Sequence, residues 1–159
     1  VRQLFLAPAE ERGITLRLAV DENVPPVLRY DKVRVRQCVS NLISNAIKYT
    51  DSGGILIASR NAPSGLRLEI WDTGVGIAPE HQREIFREFY KVPAHAGTED
   101  GFGLGLYIVA RLSHILGNPL DLVSRPGRGT VFRLHLRPTD PVVAADRAVA
   151  SVAQMASMP

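Results

Sequence analysis

The chain has 159 residues, 45% hydrophobic and 22% charged, with 13 Gly and 11 Pro, an ordinary globular composition. At roughly 100–200 residues per domain this is one domain, and with no apolar run near about 18 residues it excludes a membrane-spanning, collagenous or wholly disordered chain. The net charge of +3 comes from scattered Lys and Arg with no basic block, so no nucleic acid is indicated, and the single Cys38 excludes an internal disulfide or a cysteine zinc site.

Val1 opens the chain and Met155 is its first methionine, which reads as a segment of a longer protein. Pro8 to Arg12, closed by Gly13, predicts a short helix with Pro near its start and Gly past its end. Ile14, Leu16, Leu18 and Val20 alternate with Thr15, Arg17 and Ala19, the period of a half-buried strand. Pro25-Pro26 breaks regular structure beyond that strand. Asp31 stands where an N-cap belongs, and a helix runs from it to about Thr50. Asp51 to Gly54 turns into a strand over Ile55 to Arg60. Ala62-Pro63-Ser64-Gly65 then turns the chain back along a second strand, Leu66 to Asp72. After the glycine turn Thr73 to Gly76, a helix is expected from Pro79 to about Phe89. Lys91 to Gly103 has no periodicity, and so long a structureless loop inside a compact domain is functional or disordered. Leu104 to Leu116 reads as a helix stopped by Gly117-Asn118-Pro119. Strands at Leu120 to Ser124 and Thr130 to Leu136 flank the turn Arg125 to Gly129. Pro138 to Pro159 is an Ala- and Val-rich tail or linker, expected to be disordered. Three main helices and five strands, several in hairpins, predict an α/β two-layer sandwich: one mixed five-stranded sheet with helices on one face.

Three features carry chemistry. On a wheel advancing about 100° per residue from Gln37, Lys48 falls at about 20°, Asn41 at about 40° and Asn45 at about 80°. Val35, Val39, Leu42 and Ala46 fall opposite. Asn is a mediocre helix former, so this amide-rich face is either a hard-oxygen site for Mg²⁺, with Lys48 facing phosphate charge, or a solvated face that happens to hold two Asn. Asp72 ends a strand and precedes Thr73-Gly74-Val75-Gly76. It either accepts from an exocyclic amine such as that of adenine or simply serves a turn. Gly101-Phe102-Gly103-Leu104-Gly105-Leu106 opens a helix, whose N-terminal N–H groups suit phosphate. Leu106 occupies the third Rossmann glycine position and no Walker-A sequence occurs, so neither of those frameworks applies.

In this order the pieces resemble the nucleotide boxes of sensor histidine kinases. They are Asn41 to Thr50, Asp72 to Ile77, Ile85 to Tyr90 and Gly101 to Leu106, with Gly127 to Phe132 similar to the closing motif. The resemblance covers about Ile14 to Arg137 and is to the catalytic ATP-binding domain of the histidine kinase branch of the GHKL superfamily. It implies a Bergerat-type α/β sandwich over residues 14–137. Residues 1–13 would be a connection from a helical hairpin domain, and residues 138–159 a tail. It further implies that Asn45 coordinates the Mg²⁺ of Mg-ATP, and that Asn41, Lys48 and Lys91 contact the phosphates and carry the catalytic roles. Tyr49 would line the site and Asp72 bind the adenine amino group, with Gly74, Gly76 and Ile77 shaping that wall. Lys91 to Gly103 would be the ATP lid, anchored by Phe86 and Phe89. Gly101, Gly103, Leu104, Gly105, Leu106 and Thr130 would complete the nucleotide contacts.

Gyrase, mismatch-repair and chaperone members of the superfamily resemble one another in carrying Glu where Asn41 stands here. An amide cannot take a proton from water, so transfer to a protein acceptor is favoured over hydrolysis. Lys91 stands where Arg is common. No histidine fits the phosphoacceptor pattern: His135-Leu136-Arg137-Pro138 lacks the acidic neighbour, His81 and His114 read as ordinary helix residues, and His95 is a candidate nucleotide contact. The implied partners are therefore a dimerisation and phosphoacceptor hairpin of the same parent protein and a downstream response-regulator receiver domain. The chain itself is expected to be monomeric. The resemblance implies a cytoplasmic domain and leaves inner-membrane anchoring of the parent open. A GHKL ATPase and a non-catalytic nucleotide-binding module are the alternative readings.

Overall fold

The computed structural model describes residues 1–24, 30–63, 65–93 and 102–137. The expected break at Pro25-Pro26, Ser64, most of the loop after Lys91 including His95 and Gly101, and the tail from Pro138 lie outside them.

Helix α1 (Leu6–Glu11) follows a 3-10 turn at Arg2–Phe5 and buries Ala9. Strand β1 (Thr15–Val20) comes next, then α2 (Lys32–Lys48), the hairpin β2 (Gly54–Ala62) and β3 (Gly65–Asp72), α3 (Gly105–Leu116), and the hairpin β4 (Leu120–Arg125) and β5 (Gly129–Leu136). The strands form one sheet in the order β1-β2-β3-β5-β4. β1 pairs parallel with β2 and every other pairing is antiparallel, so the sheet is mixed as expected. The parallel pair needs a crossover, and α2 supplies it.

Local chemistry accounts for both long helices. The Asp31 side chain accepts from the Arg34 N–H at the start of α2. Gly117, at φ 64°, closes α3 with N–H bonds back to Ser113 and His114 carbonyls. One face of α2 buries Val35, Cys38, Val39, Leu42, Ile43, Ala46 and Ile47 against Ile55, Ile57, Ile70, Phe132 and Leu134 of the sheet. Cys38 belongs to this core. Burial pushes its thiol up to about 11, so it is an unreactive packing residue.

The expected helix from Pro79 to Phe89 does not form. Two 3-10 turns, Pro79–His81 and Glu84–Phe86, replace it. Gln82 Nε2 reaches out to the Ile77 and Ser124 carbonyls, and Arg87 turns extended with ψ 149°, ending any helical ladder. Tertiary bonds outweigh a period that suits a helix. Phe86 packs edge-on against Phe132 with ring centroids 6.4 Å apart, but Phe89 is 64% exposed and does not pack back as expected.

Glu69 sits on the sheet face away from α2 and is 2% exposed. Its Oε2 accepts from Arg60 Nε at 3.1 Å and Trp71 Nε1 at 3.0 Å. Its Oε1 faces Arg67 Nε at 2.8 Å and Arg133 Nε at 3.5 Å. Arg60 and Arg67 are cross-strand partners, so without Glu69 like charges oppose each other directly. Burial alone would raise the Glu69 pKa; the Trp71 and Arg60 bonds and the Arg67 and Arg60 charges outweigh it and hold it below the ordinary glutamate value. A folded pKa below the unfolded one stabilises above the unfolded value and is lost as pH falls through the folded value. Glu69→Gln should therefore cost about 1–3 kcal/mol at neutral pH. In denaturant titrations the gap to wild type should shrink as pH falls below the ordinary glutamate range. A gap of constant size across that range would show that charge plays no part.

Candidate functional site

A cavity of about 750 Å³ opens between the end of the sheet, α2 and the start of α3. From α2, Asn41, Ser44, Asn45, Lys48 and, just past its end, Tyr49 face it. Asp72, Thr130 and Phe132 lie at the sheet end, and Gly76 and Ile77 come from the loop after β3. Lys91 lines one side, and Gly103, Leu104, Gly105 and Leu106 line another. The structure thus brings together nearly all the residues expected to form a site. Gly74 is not among the residues that line the cavity, and Gly101 is outside the described residues. Gln37, the origin of the polar stripe, is exposed and not part of the cavity.

The Asn41 and Asn45 end of the polar face of α2 is half-buried. A Cβ on Gly105 would lie 3.8 Å from Asn45 Nδ2 and 3.9 Å from Asn41 Oδ1, so α3 begins directly over the asparagine pair. Asn41 Nδ2 is buried with no hydrogen-bond partner among the described residues. No side chain among the described residues caps the start of α3, so its first-turn N–H groups and positive dipole end stand beside the same cavity. Lys48 Nζ stands 5.1 Å from the Tyr49 ring centroid at the foot of α2.

Asp72 serves a turn and presents a free oxygen. Its Oδ1 accepts from Gly74 N–H at 2.9 Å and Thr130 N–H at 3.1 Å, while Oδ2 takes no hydrogen bond among the described residues. Burial raises its pKa, and the two N–H bonds offset part of that rise. The loop beside it is clamped from both sides. Val75 N–H bonds to the Tyr49 carbonyl, Gly127 N–H to the Val75 carbonyl, and Ile77 N–H to Ser124 Oγ. A Cβ on Gly74 would come within 2.2 Å of the Tyr49 carbonyl oxygen, so only glycine lets the loop approach α2 this closely.

The donor set decides what kind of divalent ion could sit here. No group of three His, Cys, Asp or Glu occurs among the described residues. The Asn41 and Asn45 amides offer neutral hard oxygen next to an uncapped helix start and Lys48. That fits Mg²⁺ held by one or two protein oxygens and completed by phosphate oxygens and water; it does not fit a metal caged by protein alone.

Residues 30–140 match the family described as histidine kinase-, DNA gyrase B- and HSP90-like ATPases. The chain belongs to this family. Within the ATPase family its relatives are sensor histidine kinases. The sensor protein TorS of Escherichia coli (strain K12) is 38% identical over 84% of this chain, and the chain spans only 14% of that protein's length. The full-length ShkA crystal structure, in complex with AMPPNP, is 34% identical with a TM-score of 0.76, covering 87% of this chain and 29% of that one. The catalytic domain of histidine kinase ThkA, solved free of nucleotide, is 27% identical with a TM-score of 0.71 over 86% of this chain and 87% of its own. The mixed sheet and its helices are thus those of a histidine kinase ATPase domain.

Several cavity residues have no sequence signal of their own. Arg12 arrives from the end of α1, where its Nη2 donates to the Lys48 carbonyl at 3.3 Å. His81, read as an ordinary helix residue, instead closes the first 3-10 turn, lines the cavity and hydrogen-bonds Tyr90. Nothing in the spacing of two residues nine apart announces that bond. No helix among the described residues is long and apolar enough to cross a membrane.

Proposed function

We propose that this domain binds Mg-ATP and donates its γ-phosphoryl group to a histidine on a separate helical hairpin of its parent protein. The observation that carries the reading is the buried Asn41 amide nitrogen, without a partner among the described residues, with Asn45 beside it under the start of α3. Opposite that polar end, Asp72 holds one oxygen free for the amino group of a base. The complex of ShkA with AMPPNP supports a nucleotide ligand for this domain.

Bound Mg²⁺ would neutralise phosphate charge, and Asn45 is the residue assigned to hold it. Asn41, Lys48 and Lys91 would orient the phosphates, with the α3 N–H groups adding positive potential. Tyr49, Gly76, Ile77 and Thr130 shape the wall around the base that Asp72 selects. Gly103, Leu104, Gly105 and Leu106 bring the α3 backbone close. Phosphoryl transfer is chiefly positioning and charge stabilisation, which this set supplies without a covalent intermediate. Asn41 carries no proton-accepting group where a hydrolase needs a base, which supports a protein acceptor over water.

The relatives are far longer than this chain, so a phosphoacceptor hairpin and a receiver domain belong to the proposal as partners within the parent or its pathway. Calorimetric titration with ATP, with and without Mg²⁺, tests the first half. One-to-one binding strengthened by Mg²⁺ is expected, and absence of binding at millimolar ATP overturns it. Labelled γ-phosphate appearing on a supplied histidine hairpin, and not as free phosphate, tests the second.

A further inference from the structure

The Tyr90 hydroxyl and His81 Nδ1 share a hydrogen bond of 2.8 Å, with the two rings tilted by 46° at a centroid separation of 6.2 Å. Both side chains line the cavity, yet they belong to differently supported segments. His81 stands on a firm post. The next residue, Gln82, ties its turn to the Ile77 and Ser124 carbonyls, and so to the β4–β5 hairpin.

Tyr90 packs half-buried against the core at the end of an exposed run. Arg87 and Phe89 before it are exposed, and Phe89 sits at φ 59°, a left-handed conformation costly for a bulky residue. The Tyr90 N–H makes only a long 3.3 Å bond to the Arg87 carbonyl. On its far side the Tyr90 carbonyl lies against Gly103, where a Cβ would approach it to 2.8 Å. Lys91, the next residue, faces the cavity.

We propose that His81 is a positioning residue for the triphosphate end of the site: through Tyr90 it fixes the backbone that carries Lys91. The inference rests on the ATP-site reading above and adds to it a residue outside every nucleotide motif. His81 touches Tyr90, not the phosphates, so its effect is on where Lys91 stands. Base recognition through Asp72 lies on another element and does not depend on it.

The test compares MgATP and adenosine binding to this chain by calorimetry. Tyr90→Phe removes one oxygen and keeps the ring. It should weaken MgATP about threefold to tenfold, the range for one lost hydrogen bond, and leave adenosine within about twofold. His81→Leu should do the same. His81→Asn places an amide near the Nδ1 position, able to donate or accept, and should restore ATP affinity. In a Lys91→Ala background Tyr90→Phe should cost nothing further, because the residue being positioned is gone.

Unchanged ATP affinity in Tyr90→Phe overturns the inference, as does an equal loss for ATP and adenosine, which marks general damage to the cavity. Should His81→Leu fail to fold, Tyr90→Phe and His81→Asn decide alone. Wild-type protein that binds neither ligand takes down the ATP-site reading as well, whereas wild-type binding with an unaffected Tyr90→Phe sinks only the role of His81.

Discussion

Asp72→Asn should weaken ATP binding by roughly 10- to 150-fold, the equivalent of losing one charge-assisted hydrogen bond of about 1.5–3 kcal/mol. The structure makes this substitution unusually clean. An asparagine Oδ1 can still accept from Gly74 and Thr130 N–H, so the turn and the β3–β5 pairing survive. What changes is the second oxygen, which has no partner among the described residues and becomes an N–H₂ group facing the cavity. A donor would then meet the donor on the base. Calorimetry with ATP measures the effect, and melting temperature confirms that the fold is intact. A change below about threefold would remove Asp72 from base recognition.

Gly76→Ala is the other large effect expected, and it acts on the fold first. Gly76 has φ 70°, and a Cβ there would lie 2.1 Å from the Arg125 carbonyl oxygen and 3.0 Å from Pro126 Cα. Both obstacles are backbone, and the β4–β5 turn that carries them is itself bonded to this loop through Gly127 N–H. The strained conformation and the clash together should cost about 2–5 kcal/mol and lower the melting temperature by on the order of 10 °C. Nucleotide affinity should fall with it, since the loop lines the cavity beside Ile77. A variant that melts within a degree of wild type would show that the hairpin moves aside freely.

These two positions also show how far the sequence could be read. Asp72 and Gly76 are conspicuous in the linear chain because a strand end, a carboxylate and two glycines fall within five residues. The helical wheel placed Asn41, Asn45 and Lys48 on one face, and the structure keeps them together. Left open was whether water or protein met that face; the start of α3, some sixty residues on, decides it. A separation of 36 residues likewise hid Arg12, whose guanidinium reaches from the end of α1 to the Lys48 carbonyl. The helix expected after Pro79 failed for a related reason. Its apolar spacing is helical, but Gln82 and Phe86 find better partners in the sheet than in their own ladder.

By itself the sequence determined the mixed α/β sandwich, the order of its five strands and two long helices, and about half of the residues around the cavity. Period, caps and glycine turns are local, and local geometry is set by near neighbours along the chain. Only the tertiary structure decided that the Asn41 amide nitrogen is buried, that Glu69 gathers three arginines and that His81 meets Tyr90. Those outcomes depend on which surfaces exclude water from one another, a property of packed elements and not of any one segment.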